Sequence, residues 1–156
     1  LMKLRNILRS NVELDSLYQE VILDHYKHPL HKNLLPDYTA QVHHVNPSCG
    51  DEITLNVLIA GGIVESVSWD GVGCSISQAS TSIASDLMVG KSLEDALATV
   101  EEFSKLMGSK GNEKGNEDVL EDGVALAGVS KFPARIKCAL LGWMAFKDAA
   151  LQSGNK

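Results

Sequence analysis

Hydrophobic and polar residues alternate with a period of two through the first half of the chain, in the stretches 40–46, 53–59 and 63–69. This alternation is typical of strands with one buried face. Gly61-Gly62 separates the last two stretches and is a strong signal for a tight hairpin turn. The pattern therefore predicts three consecutive antiparallel strands. The buried face of the third strand is predicted to carry Ile63, Val67 and Trp69.

Before the strands, the apolar residues repeat with the period of a helix. Asp15 is a suitable N-cap for this helix, which is predicted to run to about Tyr26 and to stop at Pro29. Residues 28–38 have little periodicity and are predicted to form a loop. Residues 1–13 have a mixed composition and are expected to be loosely ordered.

Three more long helices are predicted after the strands. One follows Cys74 and ends near Gly90, which suits a C-cap, and the next runs from the capping residue Ser92 to Gly108. The last helix has Pro133 in its first turn, where a proline is well tolerated. Its inward positions are predicted to be Ile136, Leu140, Trp143 and Met144.

The segment between the last two long helices differs from the rest in composition. Residues 108–118 are rich in glycine and charge, which predicts an exposed, mobile loop, and a short helix is predicted near 119–126. We find no linker that would divide the chain, so residues 1–156 are interpreted as one domain. Strands followed by helices predict the α+β class, with a small antiparallel three-stranded sheet and helices packed on one face.

Composition and charge narrow the possible functions. The chain is 44% hydrophobic and 22% charged, as in ordinary globular proteins, and its net charge of −6 argues against nucleic acid as the main partner. No apolar run approaches the roughly 20 residues that span a bilayer, so we expect no membrane association. The first residues lack the apolar core of a signal peptide, and a cytoplasmic location is therefore expected. Reduced thiols are the rule in that compartment.

Three cysteines, far apart in the sequence, are the candidates for chemistry. Cys49 is followed two residues later by Asp51, Cys74 precedes a predicted helix, and Cys138 is predicted to lie in about the first turn of the last helix. Amide groups at the start of a helix stabilise a thiolate, which makes both helical positions favourable for one. Three thiolates and a carboxylate would complete a four-ligand site for a soft metal such as zinc, or for an iron–sulfur cluster.

Less specific interpretations remain open from these residues alone. Each cysteine could be a small buried hydrophobic residue, and Asp51 could be a turn former. Arg135 lies three residues before Cys138, on the same helical face, where it could offset the site's charge or be an ordinary surface residue. The histidines near the first helix suggest a further metal site, but Pro29 interrupts their spacing.

Together, the cysteine contexts resemble those of the IscU/NifU-N family of iron–sulfur cluster assembly proteins. The resemblance runs from about Leu17 to Ala150, and it includes the opening helix as well as the three cysteines in order. The motifs that carry it are Leu17-Tyr18-x-x-Val21-Ile22-x-Asp24-His25-Tyr26-x-x-Pro29, Pro47-Ser48-Cys49-Gly50-Asp51, Gly73-Cys74-Ser75-Ile76-Ser77-Gln78-Ala79-Ser80 and Pro133-Ala134-Arg135-Ile136-Lys137-Cys138.

Two departures from the typical IscU pattern place the chain within this family, and the polar segment 108–129 looks like the insertion of its SufU branch. The first departure is Lys137, which replaces the histidine that usually precedes the last cysteine. Typical IscU proteins also carry a Leu-Pro-Pro-Val-Lys segment for an Hsp70-type chaperone. Here the corresponding stretch is Lys131-Phe132-Pro133-Ala134-Arg135, so recognition by such a chaperone is not expected.

The resemblance implies a SufE/NifU-like fold and a zinc-dependent sulfur acceptor that takes persulfide sulfur from a SufS-type cysteine desulfurase. It implies that Cys49 is the thiol that accepts sulfur and that Arg135 is functionally important. The implied Zn²⁺ ligands are Cys49, Asp51, Cys74 and Cys138. Two alternatives are a scaffold that builds a [2Fe–2S] cluster on the same ligands and transfers it to apo-proteins, and a purely structural zinc domain.

Overall fold

The computed structural model describes residues 14–154; residues 1–13, which were expected to be loosely ordered, and 155–156 lie outside that range. Three strands form one antiparallel sheet in the order β1-β2-β3. They span Ala40–Asn46 (β1), Asp51–Ala60 (β2) and Ile63–Val72 (β3). The helices span Leu14–Lys27 (α1), Ser75–Met88 (α2), Leu93–Met107 (α3), Glu117–Leu120 (α4), Glu121–Lys131 (a 3₁₀ helix) and Pro133–Gly154 (α5).

The predicted α+β class is confirmed, with the sheet buried against α2 and α5. One face of β2 points into the core, where Ile53, Leu55 and Val57 are almost completely buried. The opposite face carries the exposed Glu52. None of the helices within the described residues is both long enough and apolar enough to cross a membrane.

One part of the strand prediction is wrong, because β3 contains a bulge. Leu58 pairs with Ser66 but the next residue, Ile59, pairs with Val64, so Glu65 is an extra residue in β3. A bulge of this kind shifts the side-chain alternation by one position. As a result Val64 is buried and Ile63 is 42% exposed, whereas Val67 and Trp69 are buried as predicted.

The ends of the helices lie at or near the capping residues predicted from the sequence. Ser92 caps α3 by accepting a hydrogen bond from the backbone N–H of Asp95, and Gly108 is its C-cap, as predicted. Helix α2 ends at Met88, two residues before Gly90, which adopts a φ of +90°. The described part of α1 begins at Leu14, so Asp15 lies inside its first turn and does not precede the helix as expected.

The segment after α3 is exposed as predicted, and its short helix has two parts. The α-helical turn Glu117–Leu120 continues directly into the 3₁₀ helix. His25 of α1 anchors this second part, because its Nε2 lies 3.0 Å from an oxygen of Asp122. Its Nδ1 lies 2.8 Å from Ser82 Oγ of α2. This buried chain of side chains joins three elements beside the core.

Helix α5 is buried more widely than its sequence pattern indicates. Of the four residues predicted to face inward, Trp143 is fully buried and stacks on Phe103 with ring centroids 4.0 Å apart. The other three, Ile136, Leu140 and Met144, are only half-buried. The helix lies between the sheet and the other helices, and small residues form much of its contact surface. These residues are Ala139, Gly142, Ala145 and Ala149.

The closest approach of α5 to α2 depends on Gly142. A Cβ at this position would contact Thr81 Oγ1 and lie 2.8 Å from Thr81 Cβ, and Thr81 is fully buried. We expect Gly142→Ala to destabilise the fold by about 1–3 kcal/mol, because overpacking outweighs the gain in helix propensity. The midpoint of thermal unfolding should fall by about 3–9 °C. Gly128→Ala is the control, since a Cβ there meets nothing within 4 Å, and an equal loss in both variants would contradict this explanation.

Candidate metal centre

Three of the four predicted ligands meet at one end of the sheet. A sulfur from each of Cys49 and Cys138 and a carboxylate oxygen of Asp51 all lie within 4.8 Å of one another. The thiol of Cys138 donates a hydrogen bond to the sulfur of Cys49, with the two sulfurs 3.1 Å apart. Residues separated by 89 positions in the sequence are therefore adjacent, and this meeting of the ligands was the main expectation from the sequence.

Cys49 and Asp51 are placed by the turn between β1 and β2. Cys49 is exposed within this turn, and Gly50 adopts a φ of +71°, which a side chain would disfavour. Asp51 is the first residue of β2, and its side chain points into the protein. The spacing of two residues thus brings both groups to one site, as expected.

Cys74 lies beside this group as the N-cap of α2. Its sulfur accepts a hydrogen bond from the backbone N–H of Ser77 at 3.5 Å, and its own N–H donates to Asp51 Oδ1 at 2.9 Å. The Cys74 sulfur is outside the group defined by the 4.8 Å limit, although it is close enough to influence Cys138.

Cys138 differs from its predicted setting. It is the sixth residue of α5, in the second turn, and it is only 3% exposed. Burial is the main cause that raises the pKa of the Cys138 thiol well above its ordinary value, followed by the neighbouring Cys49, Asp51 and Cys74. The prediction of a helix start that favours the thiolate is therefore wrong for Cys138. A positive ion at the centre would reverse this preference for the thiol.

Asp51 gives the most direct evidence that these residues suit a metal ion. Its carboxylate is fully buried, and Oδ2 has no hydrogen-bond partner among residues 14–154. A buried carboxylate oxygen without a partner is costly unless a cation is present. Three thiols and one carboxylate are a donor set that suits zinc or an iron–sulfur cluster.

Gly73 allows the carboxylate and Cys74 to lie this close. A Cβ on Gly73 would overlap Asp51 Oδ1 and would lie 2.6 Å from Ser77 Oγ. A side chain at this position would therefore displace two of the groups that hold the ligands in place.

Arg135 is exposed in the first turn of α5, one turn before Cys138. Together with Phe132 and Tyr18 it lines an open groove between α1 and the 3₁₀ helix. The guanidinium is thus accessible to a molecule that enters this groove.

The histidines form no comparable group within the described part of the chain. His25 is engaged with Ser82 and Asp122, and His31 contacts Asp86. His43 and His44 contact different partners on the sheet and on α5. The weaker suggestion of a metal site at the histidines near the first helix receives no support.

Sequence reasoning missed one residue at the centre, Asn46. It is the last residue of β1, only 6% exposed, and its side-chain amide donates to the sulfur of Cys138 at 3.9 Å. The sequence signal for a role at the centre was its position directly before Pro47-Ser48-Cys49. An asparagine at the end of a strand is usually interpreted as a turn former, which conceals any second role.

The fold and this grouping of thiols and carboxylate define a small α+β protein with a sulfur-rich candidate metal centre. Residues 17–139 match the family described as the NifU-like N-terminal domain. The chain belongs to this family, which acts in iron–sulfur cluster assembly. The resemblance found in the sequence, including its SufU branch, is confirmed.

Individual relatives cover nearly the whole chain. It is 47% identical over 146 residues to the zinc-dependent sulfurtransferase SufU of Bacillus subtilis strain 168, covering 93% of this chain and 97% of that protein. It is 42% identical over 143 residues to the iron–sulfur cluster assembly scaffold protein IscU of Streptococcus pyogenes serotype M1, covering 92% and 88%. A solved structure from Fervidobacterium islandicum AW-1, described as a candidate scaffold protein for the SUF system, has a TM-score of 0.77 and 31% identity, covering 84% of this chain and 94% of that one.

Proposed function

We propose that this protein is a zinc-dependent sulfur acceptor and carrier for iron–sulfur cluster assembly. The observation that carries the proposal is the buried, unpartnered Oδ2 of Asp51 beside the clustered thiols. A similar function is named for the relative from Bacillus subtilis, which is a zinc-dependent sulfurtransferase. Both observations support a bound cation, and the donors of the site are suited to zinc.

The ligands would be Cys49, Asp51, Cys74 and Cys138. Bound zinc would keep the three thiols deprotonated and protected from oxidation. Three thiolates, one carboxylate and a divalent ion sum to a charge of −2, so cationic groups nearby are favourable. Arg135, exposed one turn before Cys138, would supply positive charge to an incoming sulfur anion.

Cys49 is the thiol that would receive sulfur. It is exposed, and within residues 14–154 no N–H group donates a hydrogen bond to its sulfur, whereas Cys74 and Cys138 each accept one. A thiolate without such donors is the more reactive one. The Cys49 thiolate would attack the outer sulfur of a persulfide on the partner. A new S–S bond forms on Cys49, the partner's S–S bond breaks, and the partner's cysteine leaves as a thiolate, with no net oxidation.

The partner in this scheme is a cysteine desulfurase of the SufS type, and the compartment is the cytoplasm, where reduced thiols persist. The sulfur would then pass to other iron–sulfur assembly components or to apo-proteins. Phe132 and Arg135 are exposed at the start of the helix that carries Cys138, so a partner docked there would contact this helix one turn before Cys138.

A second candidate function is a scaffold that assembles a [2Fe–2S] cluster on the same four residues. The similarity to the IscU scaffold protein of Streptococcus pyogenes favours it. A carboxylate ligand would make such a cluster labile, as cluster transfer requires. The two candidates differ in what the purified protein contains, which allows one preparation to separate them.

The test uses protein purified without oxygen. The carrier proposal predicts one zinc per chain, no colour, and, after addition of a desulfurase with cysteine, a persulfide on Cys49 detected by mass spectrometry. A brown protein containing iron and sulfide would favour the scaffold instead. Persulfide on Cys74 or Cys138 but not on Cys49 would contradict the assigned acceptor.

Arg135→Ala should keep its zinc but accept sulfur about 5- to 30-fold more slowly, because a charge near the reacting sulfur contributes on the order of 1–2 kcal/mol. Lys137→Ala is the matched control. Lys137 is an exposed cation in the same helical turn but faces another direction, and its loss should leave the rate nearly unchanged. Equal rates for the wild type and both variants would remove Arg135 from the mechanism.

A further inference from the structure

We propose that Asn46 is a positioning residue of the metal centre, and that its side-chain amide keeps Cys138 as a permanent ligand. This inference rests on the proposed zinc-dependent function. It concerns a residue that provides no ligand itself. Two separate parts of Asn46, its carbonyl and its side chain, contact two different ligand-bearing segments.

The carbonyl of Asn46 organises the turn that holds Cys49. It accepts hydrogen bonds from the backbone N–H of Cys49 at 3.2 Å and of Gly50 at 3.0 Å. Asn46 is also the register partner of Asp51, the last pair between β1 and β2. The backbone of this residue is therefore sufficient to explain the turn, and any amino acid could supply it.

The side chain has a different role, because it points to Cys138 on α5. Its Nδ2 donates to the Cys138 sulfur at 3.9 Å, and the asparagine is 6% exposed. If Asn46 served only the turn, its buried amide would not need to face a sulfur that is 92 residues away in the sequence. The contact is long for a neutral thiol and is expected to strengthen when the sulfur carries negative charge.

N–H hydrogen bonds to the sulfurs then distinguish the three thiols. Within residues 14–154 the Cys49 sulfur accepts only from the Cys138 thiol, a bond that is lost once both thiols are deprotonated. The backbone N–H of Ser77 donates to Cys74, and Asn46 donates to Cys138. Donation to a thiolate lowers its reactivity and offsets part of the negative charge of the centre. Cys138 is thereby stabilised as a ligand, while Cys49 keeps the higher reactivity that sulfur acceptance needs.

Two variants of Asn46 test the side chain without altering the carbonyl. Asn46→Asp keeps the shape but replaces the amide donor by a carboxylate, and Asn46→Ala removes the donor without adding charge. Each is loaded with Zn²⁺ or Co²⁺ in competition with a coloured chelator. We expect a loss of affinity of about 10- to 100-fold, as for other residues that support metal ligands, with the larger loss for Asn46→Asp.

The cobalt spectrum provides a readout that a purely structural role would not change. Without the hydrogen bond the sulfur electrons are less stabilised, so the sulfur-to-cobalt charge-transfer band should shift to lower energy in both variants. Asn56→Asp is the matched control. Asn56 is also a buried asparagine whose Nδ2 donates a hydrogen bond, in this case to the carbonyl of Leu35, away from the cysteines. Its affinity and spectrum should match those of the wild type.

Wild-type affinity and band position in both Asn46 variants would overturn the proposal. So would a band shift of the same size in Asn56→Asp. If Asn46→Asp does not fold, Asn46→Ala alone decides the question by the same criteria. Failure of the proposed function would look different, since the wild-type protein itself would then bind neither zinc nor cobalt tightly.

Discussion

Cys138→Ala should lose tight zinc binding and, with it, the capacity to accept sulfur. Zinc sites in small domains bind with roughly 10–16 kcal/mol shared among four ligands, so removing one thiolate should cost on the order of 3 kcal/mol, or more than about 100-fold in affinity. Cys138 is buried and in contact with Cys49, so its loss also removes the group that holds the reactive thiol in place. Zinc affinity is measured by chelator competition, and sulfur acceptance by the rate of sulfide production with a desulfurase.

Two other variants make this result interpretable. Lys137→Ala changes the preceding exposed residue and should retain zinc and sulfur acceptance. Cys49→Ala should abolish sulfur acceptance as Cys138→Ala does, but with little effect on the stability of the metal-free protein, because Cys49 is exposed. A Cys138→Ala protein that still stimulates the desulfurase would rule out a single site formed by all three thiols.

Asp51→Asn should change the stability of the metal-free and the zinc-bound protein in opposite directions. In the metal-free protein the substitution removes a buried charge with an unpartnered oxygen, and the asparagine carbonyl can still accept the N–H of Cys74. We expect a gain of about 1–2 kcal/mol, or about 3–6 °C in the midpoint of thermal unfolding. With zinc in excess, the wild type should instead be the more stable protein, because about 100-fold weaker binding lowers the stabilisation by about 2.7 kcal/mol.

The control for Asp51→Asn is Asp70→Asn. Asp70 also accepts a backbone N–H, that of Gly71 at 2.9 Å, but it is exposed and outside the cluster. Its substitution should leave both melting curves nearly unchanged. Thermal unfolding followed by circular dichroism, with and without zinc, provides all four comparisons. If Asp51→Asn destabilised the metal-free protein, the interpretation of the unpartnered oxygen would be wrong.

Much of the fold could be predicted because local signals agreed with the tertiary structure. Strand β1 has the predicted bounds, and Ser92 and Gly108 limit α3 as expected. The bulge at Glu65 could not be predicted, because a shift in pairing depends on the neighbouring strand and leaves no mark in an alternating sequence. The burial of α5 on several sides was missed for the same reason. The helical period of its sequence indicates one apolar face, whereas the packing of neighbouring elements determines the burial of its other faces.

For the candidate site, the sequence predicted the three residues that meet, together with Cys74 beside them, but not the surroundings of these residues. The order and spacing of Cys49, Asp51, Cys74 and Cys138 were informative because the family motif contains them. The burial of Cys138 depends on the packing of α5 against other elements, which spacing does not report. The contact of Asn46 with Cys138 joins two segments 92 residues apart, so no local pattern could indicate it.

The turn that carries Cys49 has a consequence for the proposed transfer of sulfur to this residue. Asp51 belongs to a strand and Cys138 to a long helix, so neither can travel far without disturbing the core. Cys49 is held by its turn, in which two backbone hydrogen bonds reach Asn46. Bonds of this kind contribute only about 0.5–1.5 kcal/mol each, so we expect this turn to open at a lower free-energy cost than the strand or the helix. In the proposed transfer, Cys49 would then move towards the partner's persulfide while Asp51 and Cys138 stay in place.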